Sequence, residues 1–277
     1  MYCGVRAGCI LELDLQTAVM IILTLYMSEV NRLFGHCIYV ISTVFTGTIL
    51  LLTKKRTPTD AGEKTMSIIV NRRDLDFIMY EALDLYTILE SEHYADYDRE
   101  SLDAMLDLCQ SLAEDQFLPF AAKLDANEPK FVDGKVETIP EVKEAINAYR
   151  EAGLCTSAYD ADIGGMQLPW MMDQALNGMF VCANNPVHTY LFLTQGVANM
   201  LNACGSDELK AKYLPKLVEG EWFGTMCLSE TQAGSSLADI RTKADVRADG
   251  GYNISGTKMW ISGGEQDITD NIVHMVL

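Results

Sequence analysis

Residues 205–264 read GSDELKAKYLPKLVEGEWFGTMCLSETQAGSSLADIRTKADVRADGGYNISGTKMWISGG, and the period of the apolar positions changes in the middle of this run. Up to Gly220 it is helical. Ser206 is placed to cap a helix over 207–217, with Asp207 and Glu208 in the first turn, where the helix dipole favours negative charge. After Gly220 the period becomes two. Residues 222–228 (WFGTMCL) predict a strand, and Thr242, Ala244 and Val246 alternate with charged Lys243, Asp245 and Arg247. Asp249, Gly250 and Gly251 supply a hairpin turn, and Tyr252 and Ile254 resume the alternation on the returning strand. Ser255 and Gly256 make a second turn into a strand over 258–262. An antiparallel sheet is therefore expected to follow a helical region.

Working back towards the N-terminus, helical spacing dominates. Leu75, Ile78, Met79, Leu83, Leu85, Tyr86 and Leu89 form one stripe. Leu102, Met105, Leu106, Cys109, Leu112 and Ala113 form a second, which Pro119 ends. Thr138 to Glu141 (TIPE) predicts a capping box for a helix carrying Val142, Ala145, Ile146 and Tyr149 and ending at Gly153. Further apolar helices are expected over 170–182 and from beyond Pro186 to Ala203. The fold class is α+β: an all-α domain over 66–221, then an incomplete antiparallel β domain over 222–277. The Met and aromatic stripes are expected to be core. His188 and Asn185 lie at the start of an apolar helix and read as satisfied helix-end groups. His93 reads as a solvated side chain in an acidic turn, and Asp160, Asp162, Gly164 and Gly165 as a plain turn.

Charge and cysteine usage narrow the function classes. The chain of 277 residues carries 21 Lys and Arg against 39 Asp and Glu, a net of -18. That balance argues against sequence-independent nucleic-acid binding, which needs cations facing phosphates. It is also uneven. Residues 1–65 hold six basic and five acidic side chains, and residues 66–277 hold fifteen and thirty-four. The eight cysteines are scattered, with no CxxC pair and no His at ligand spacing, so reduced thiols in a cytoplasmic compartment are expected. Residues 36–52 (HCIYVISTVFTGTILLL) carry no formal charge and precede Lys54, Lys55 and Arg56. As a helix they would reach about 25 Å, barely a bilayer core. Three readings of 1–65 stand: a membrane anchor within 16–52, a soluble extension that needs burial, or a segment foreign to the native protein with translation starting at Met66. The break in charge and pattern favours the third.

Between the first two strands lies LSETQAGSS, residues 228–236. Gly234 lets backbone approach a ligand, and free N–H groups with the Ser235 hydroxyl suit a phosphate or pyrophosphate. Trp260 with Ser262 two residues on adds a flat surface beside a hydroxyl donor. Each feature alone is common.

Together, the KYLPKL helix, a strand ending in (L/V)(T/S)E, the AGS loop and the (I/V)xGxKxWI(S/T) strand resemble the middle of the acyl-CoA dehydrogenase family in order and spacing. The resemblance extends more weakly back to Met66, and the GGEQD run at 263–267 is similar to the larger bacterial members. It implies FAD as cofactor, with Met226, Leu228 and Ser229 lining the flavin ring and Ser229 near its pyrimidine edge. It further implies Gly234 and Ser235 at the pyrophosphate, Ser235 also at the acyl-CoA, Trp260 and Ile261 at the ring, and the Ser262 hydroxyl on N5. Thr231 stands where Pro is common and Ser236 where Asp is common, while Ser229 and Ser262 replace frequent Thr and keep the hydroxyl. The implied reaction is α,β-dehydrogenation of an acyl-CoA thioester in β-oxidation, with electrons passed to an electron-transfer flavoprotein by a homo-oligomer. In the family the base is a Glu of a C-terminal helical bundle. That bundle is expected to be missing from this chain, so no catalytic residue is assigned, Glu230 reads as structural, and the chain is expected to be an inactive fragment. The alternative is a membrane-anchored, non-catalytic interaction protein.

Overall fold

The computed structural model describes residues 67–277. The expectations for residues 1–65, including the anchor within 16–52, lie outside the described residues. The protein is α+β, with a helical region interrupted by one short hairpin and the remaining strands after it.

The first helical stripe is broken rather than continuous. Helix α1 (Arg72–Asp76) runs into a wider turn over Phe77–Ala82, and α2 spans Leu85–Leu89. The break is Asp84, at φ 49, whose carboxylate accepts from the Thr87 N–H and so caps α2. An Asp side chain tolerates the left-handed region because it satisfies backbone locally. Helix α3 (Arg99–Leu112) starts on a reciprocal cap between Asp98 and Ser101 and loosens towards Pro119. Helix α4 (Ala121–Asp125) and a hairpin of β1 (Lys130–Val132) and β2 (Lys135–Glu137) follow. Asp133 and Gly134, at φ 49 and 84, make the mirror-image turn that matches strand twist.

Helix α5 (Pro140–Glu151) corrects the expected capping box. Its N-cap is Ile139, with no side-chain cap, and Pro140 occupies the first helical position. The N–H and hydroxyl of Thr138 donate instead to Asp267, at 3.2 and 2.7 Å. The other half of the expected box, Glu141, pairs with Lys123. The two apolar helices expected over 170–203 form one element, α6 (Trp170–Cys204), kinked at Asn184 with φ -160 and ψ 82. Pro186 cannot donate to the preceding turn, which frees the backbone to bend there, and the Asn184 amide donates to the Phe117 carbonyl at 3.1 Å. Helix α7 (Asp207–Val218) is capped by Ser206, as expected.

The core lies where α3, α5 and α6 meet. Phe180 sits edge-on to Phe117 and Tyr149, with ring centroids 4.9 and 4.8 Å away. Leu102, Leu106, Cys109, Ala113 and Phe117 close this layer from α3 and the turn after it, all fully buried. A second cluster of Val197, Ala198, Leu201, Leu214, Leu217 and Val218 joins the end of α6 to α7. The five described cysteines are free thiols. No helix of the described residues is long and apolar enough to cross a membrane.

Strand β3 (Phe223–Cys227) lies against α6. The Gly224 N–H donates to the Thr194 hydroxyl at 3.0 Å, and a Cβ on Gly224 would come within 2.6 Å of Val197. Strands β4 (Lys243–Val246) and β5 (Tyr252–Ser255) pair antiparallel as expected. Two expectations for the sheet are revised. Strand β3 pairs in parallel with β6 (Ile272–Val276), because its partner arrives by a long crossover rather than a hairpin. Residues 258–262 join no ladder: they are irregular and run into a turn at Ser262, with Trp260 at φ 61. Register puts Ala244, Val246, Tyr252 and Ile254 on one face of the β4–β5 hairpin, and that face is exposed.

Candidate functional site

Two segments expected to carry the chemistry, 228–236 and 258–262, are drawn together at the end of β3. The Lys258 ammonium donates to the Leu228 carbonyl at 3.0 Å, and the Met259 N–H donates to the Ser229 carbonyl at 3.0 Å. Leu228 and Ser229 therefore lie beside Met259 and Trp260. Met226 is half-buried on β3, against the cluster between α6 and α7. Beyond Glu230 the chain makes a tight turn, with reciprocal bonds between Glu230 and Ala233 that bury Ala233. Gly234 and Ser235 emerge exposed from that turn. On the other segment Trp260 is 84% exposed, Ile261 is half-buried and Ser262 is exposed.

Several donors on these two segments are unpaired. Among the described residues, the hydroxyls of Ser229, Ser235 and Ser262 and the N–H groups of Gly234 and Ser235 have no hydrogen-bond partner. A Cβ on Gly234 would meet nothing within 4 Å, so the space above the loop is open. The two segments thus carry unpaired hydroxyl and N–H donors and an exposed indole, groups suited to a flat ring with polar edges and an attached anion.

Glu230 is the structural centre. Its carboxylate accepts from the Thr242 hydroxyl, from the N–H groups of Arg241 and Thr242 at 2.8 and 2.9 Å, and from Gln232 at 2.6 Å. It also pairs with Lys258 at 2.9 Å, the two side chains being 4% and 10% exposed. The Thr242 hydroxyl, working against burial and joined by the Arg241 N–H and Lys258, holds this carboxyl well below the usual carboxylate range. A carboxylate so occupied is a poor proton acceptor, which matches its reading as structural. Sequence reasoning did not single out Lys258, Thr242 or Asp267. The spacing of Glu230, Thr242 and Lys258 has no period, so only the fold brings them together.

The C-terminal side of the site is moored to the helices. Gln266 is buried, its amide oxygen accepting from the N–H groups of Ile268 and Thr269, and Ile268 lies in the helical core. Asp267 holds Thr138 at the start of α5.

The remaining polar candidates fall elsewhere. His93 is exposed, 3.8 Å from Asp160, and residues 160–165 form a turn closed by the Gly165 N–H on the Asp160 carbonyl. Asn185 is exposed. His188 is buried on α6, its Nε2 2.9 Å from Asn177 Oδ1. The Asn177 amide donates to Asp173, so its oxygen is the acceptor and His188 carries its proton on Nε2. Asp173 also accepts from Ser157 at 2.5 Å and from Gln174 and Gln195. Burial pushes Asp173 up, opposed by these donors, and lowers His188 to about 4.

Because His188 is neutral when folded, its contribution is complete above the unfolded value of 6.5 and is lost as pH falls towards 4. Asp173 acts with opposite sign: its raised value adds stability at low pH that is lost as pH rises through it. Comparison with His188→Gln separates the two. Between pH 7 and pH 5 the parent is expected to lose about 2 kcal/mol more unfolding free energy than the variant. Urea titrations at the two pH values measure this, and parallel losses would remove His188 from the account.

Comparison with known proteins follows the same division of the chain. Residues 99–221 match the family described as acyl-CoA dehydrogenase, N-terminal domain. A butyryl-CoA dehydrogenase of Syntrophomonas wolfei is 35% identical over 212 residues, covering 74% of this chain and 34% of the relative. A 3-methylmercaptopropionyl-CoA dehydrogenase of Ruegeria pomeroyi is 34% identical over 206 residues, with 74% and 35% covered. The chain thus spans about a third of the length of these relatives. Among solved structures, an acyl-CoA dehydrogenase from Geobacillus kaustophilus superposes with a TM-score of 0.53 at 24% identity, over 65% of this chain and 44% of that one.

Proposed function

The chain carries an N-terminal domain of the acyl-CoA dehydrogenase family, and from that premise we propose that residues 226–262 form one wall of a flavin site in an FAD-dependent enzyme acting on acyl-CoA thioesters. The observation that carries this reading is the convergence of 228–229 with 258–259, next to an exposed Trp260. FAD, when bound, supplies the acceptor for the hydride that leaves the thioester β-carbon as the α-proton is removed.

The chain's own residues bind and orient. Trp260, Leu228 and Ile261 would give the ring apolar surface, with Met226, packed against the cluster between α6 and α7, behind them on β3. The Ser229 hydroxyl would serve its pyrimidine edge, and the Ser262 hydroxyl would donate to the ring atom that accepts hydride. The N–H groups of Gly234 and Ser235 would hold the pyrophosphate, where fixed dipoles offset its charge without a cation. Ser235 also reaches the acyl-CoA. The α-proton is not taken by Glu230, whose oxygens are already occupied. Transfer of electrons to an electron-transfer flavoprotein, and assembly into a homo-oligomer, belong to the same proposal and are supported by the resemblance alone.

The reading includes weak cofactor binding by the chain itself. Trp260 and the β4–β5 face are open to solvent, and Thr231 and Ser236 are exposed in the phosphate loop, Ser236 bonding only Asp239 locally. Titration with FAD, followed by quenching of flavin fluorescence, is expected to give a dissociation constant of about 1 μM or weaker. Ser235→Asp places a like charge against the pyrophosphate and is expected to weaken binding about a hundredfold, with far-UV circular dichroism unchanged. Equal affinity in parent and variant would remove the phosphate from this loop.

A further inference from the structure

We propose that Lys258 is the positioning residue of this site, an internal clasp that keeps the 258–262 segment in its flavin-facing conformation. The inference rests on the flavin reading above and deepens it. Trp260 has little to hold it directly: its side chain is almost wholly in solvent, and its backbone lies at φ 61, a region that side chains with a Cβ rarely adopt. Such a conformation persists only where flanking structure over-determines it. On the C-terminal side that structure is the Gly263 turn, with the buried Gln266 and Ile268 behind it. On the N-terminal side it is Lys258 and Met259.

Two contacts make the N-terminal hold. The Met259 N–H to Ser229 bond is a single neutral hydrogen bond. Lys258 adds an ammonium that binds the Leu228 carbonyl and the Glu230 carboxylate at once, at 3.0 and 2.9 Å. Glu230 in turn is fixed by the Arg241 and Thr242 N–H groups and the Thr242 hydroxyl, which belong to the entry of β4. Lys258 therefore joins three pieces of chain: the end of β3, the entry of β4, and the segment bearing Trp260 and Ser262. A buried charge-assisted bond of this kind is stronger than a neutral one and costly to leave half-made. No residue of the clasp need touch the ligand; it acts through Leu228, Ser229 and Trp260.

The test uses the 277-residue chain, with amide hydrogen exchange and FAD titration as parallel readouts. Lys258→Met is expected to speed exchange at Met259 about tenfold or more and to weaken FAD binding to a similar extent, while amides in the middle of α6 keep their parent rates. Lys258→Arg, which keeps the cation and its donors, is expected to recover part of both effects and to restore the parent's bound-flavin absorbance. Thr242→Val removes one of Glu230's donors and is expected to fall between parent and Lys258→Met. Parent values of Met259 exchange and FAD affinity in Lys258→Met would overturn the clasp. If Lys258→Met also loses α6 protection, Thr242→Val decides, and parent values there overturn it. A parent chain that binds no FAD sinks the flavin reading instead, and Met259 exchange alone then decides the clasp.

Discussion

Alanine at position 165 is expected to destabilise the protein by about 3 kcal/mol or more, near the upper end of the cost of overpacking. A Cβ there would lie 1.8 Å from the Tyr159 carbonyl oxygen and 2.1 Å from its carbon. These are backbone atoms, so no rotamer change relieves the overlap. The same carbonyl accepts from the Gln167 N–H at 2.8 Å, and neighbouring bonds tie Met166 to Thr156 and Leu168 to Ser157. Moving Tyr159 thus drags a loop whose Ser157 hydroxyl holds the buried Asp173. Gly164 next door provides the control. It sits at φ 84 with nothing within 4 Å of a Cβ, so alanine there incurs only the left-handed backbone penalty of about 1–2 kcal/mol. Urea unfolding of the two variants measures the difference, and a Gly165→Ala cost no greater than that of Gly164→Ala would refute the steric account.

Phe180→Ala is expected to cost about 3–5 kcal/mol, the range for removing a fully buried aromatic side chain. Phe180 is completely buried, edge-on to both Phe117 and Tyr149, and stacked at 6.3 Å on the imidazole of His188. The hole would open where α3, α5 and α6 meet, so no single element can move in to fill it. Phe192, on the same helix but 59% exposed, is expected to change stability by no more than about 0.5 kcal/mol when cut to alanine. The pair is read by chemical denaturation, and a Phe180→Ala loss under about 1 kcal/mol would mean that the three-helix junction is not the core.

What could be read from the residues divides along the range of the forces involved. Ser206 caps α7 and the Asp249, Gly250, Gly251 turn closes β4 on β5, because both depend on neighbours a few residues away. The buried faces of α3 and α5 follow from spacing alone. The capping box expected at Thr138 does not form: the N-cap is Ile139, and the Thr138 hydroxyl donates to Asp267, 129 residues distant. The parallel partnership of β3 with β6 and the left-handed Trp260 have the same origin in long-range structure. At the site, the residues implied by the family resemblance sit on two segments that the fold brings together. Lys258 was legible only as a letter in a motif, since nothing local distinguishes a lysine that will be buried from one that will be solvated. The Asp133, Gly134 turn is a different case: its chemistry was visible, and the hairpin it makes was not among the elements anticipated.

The mooring of Thr138 to Asp267 has a kinetic meaning. A helix whose first turn is completed by its own sequence can form early and wait. Helix α5 has no local side-chain cap, and the N–H and hydroxyl of Thr138, just ahead of its N-cap, find their partner only when a residue far along the chain arrives. Closing a loop of that length carries an entropic cost that grows slowly with length and is met late in folding. The start of α5 and the turn that follows Trp260 thus share one late contact, which ties the helical region to the segment that carries the exposed indole.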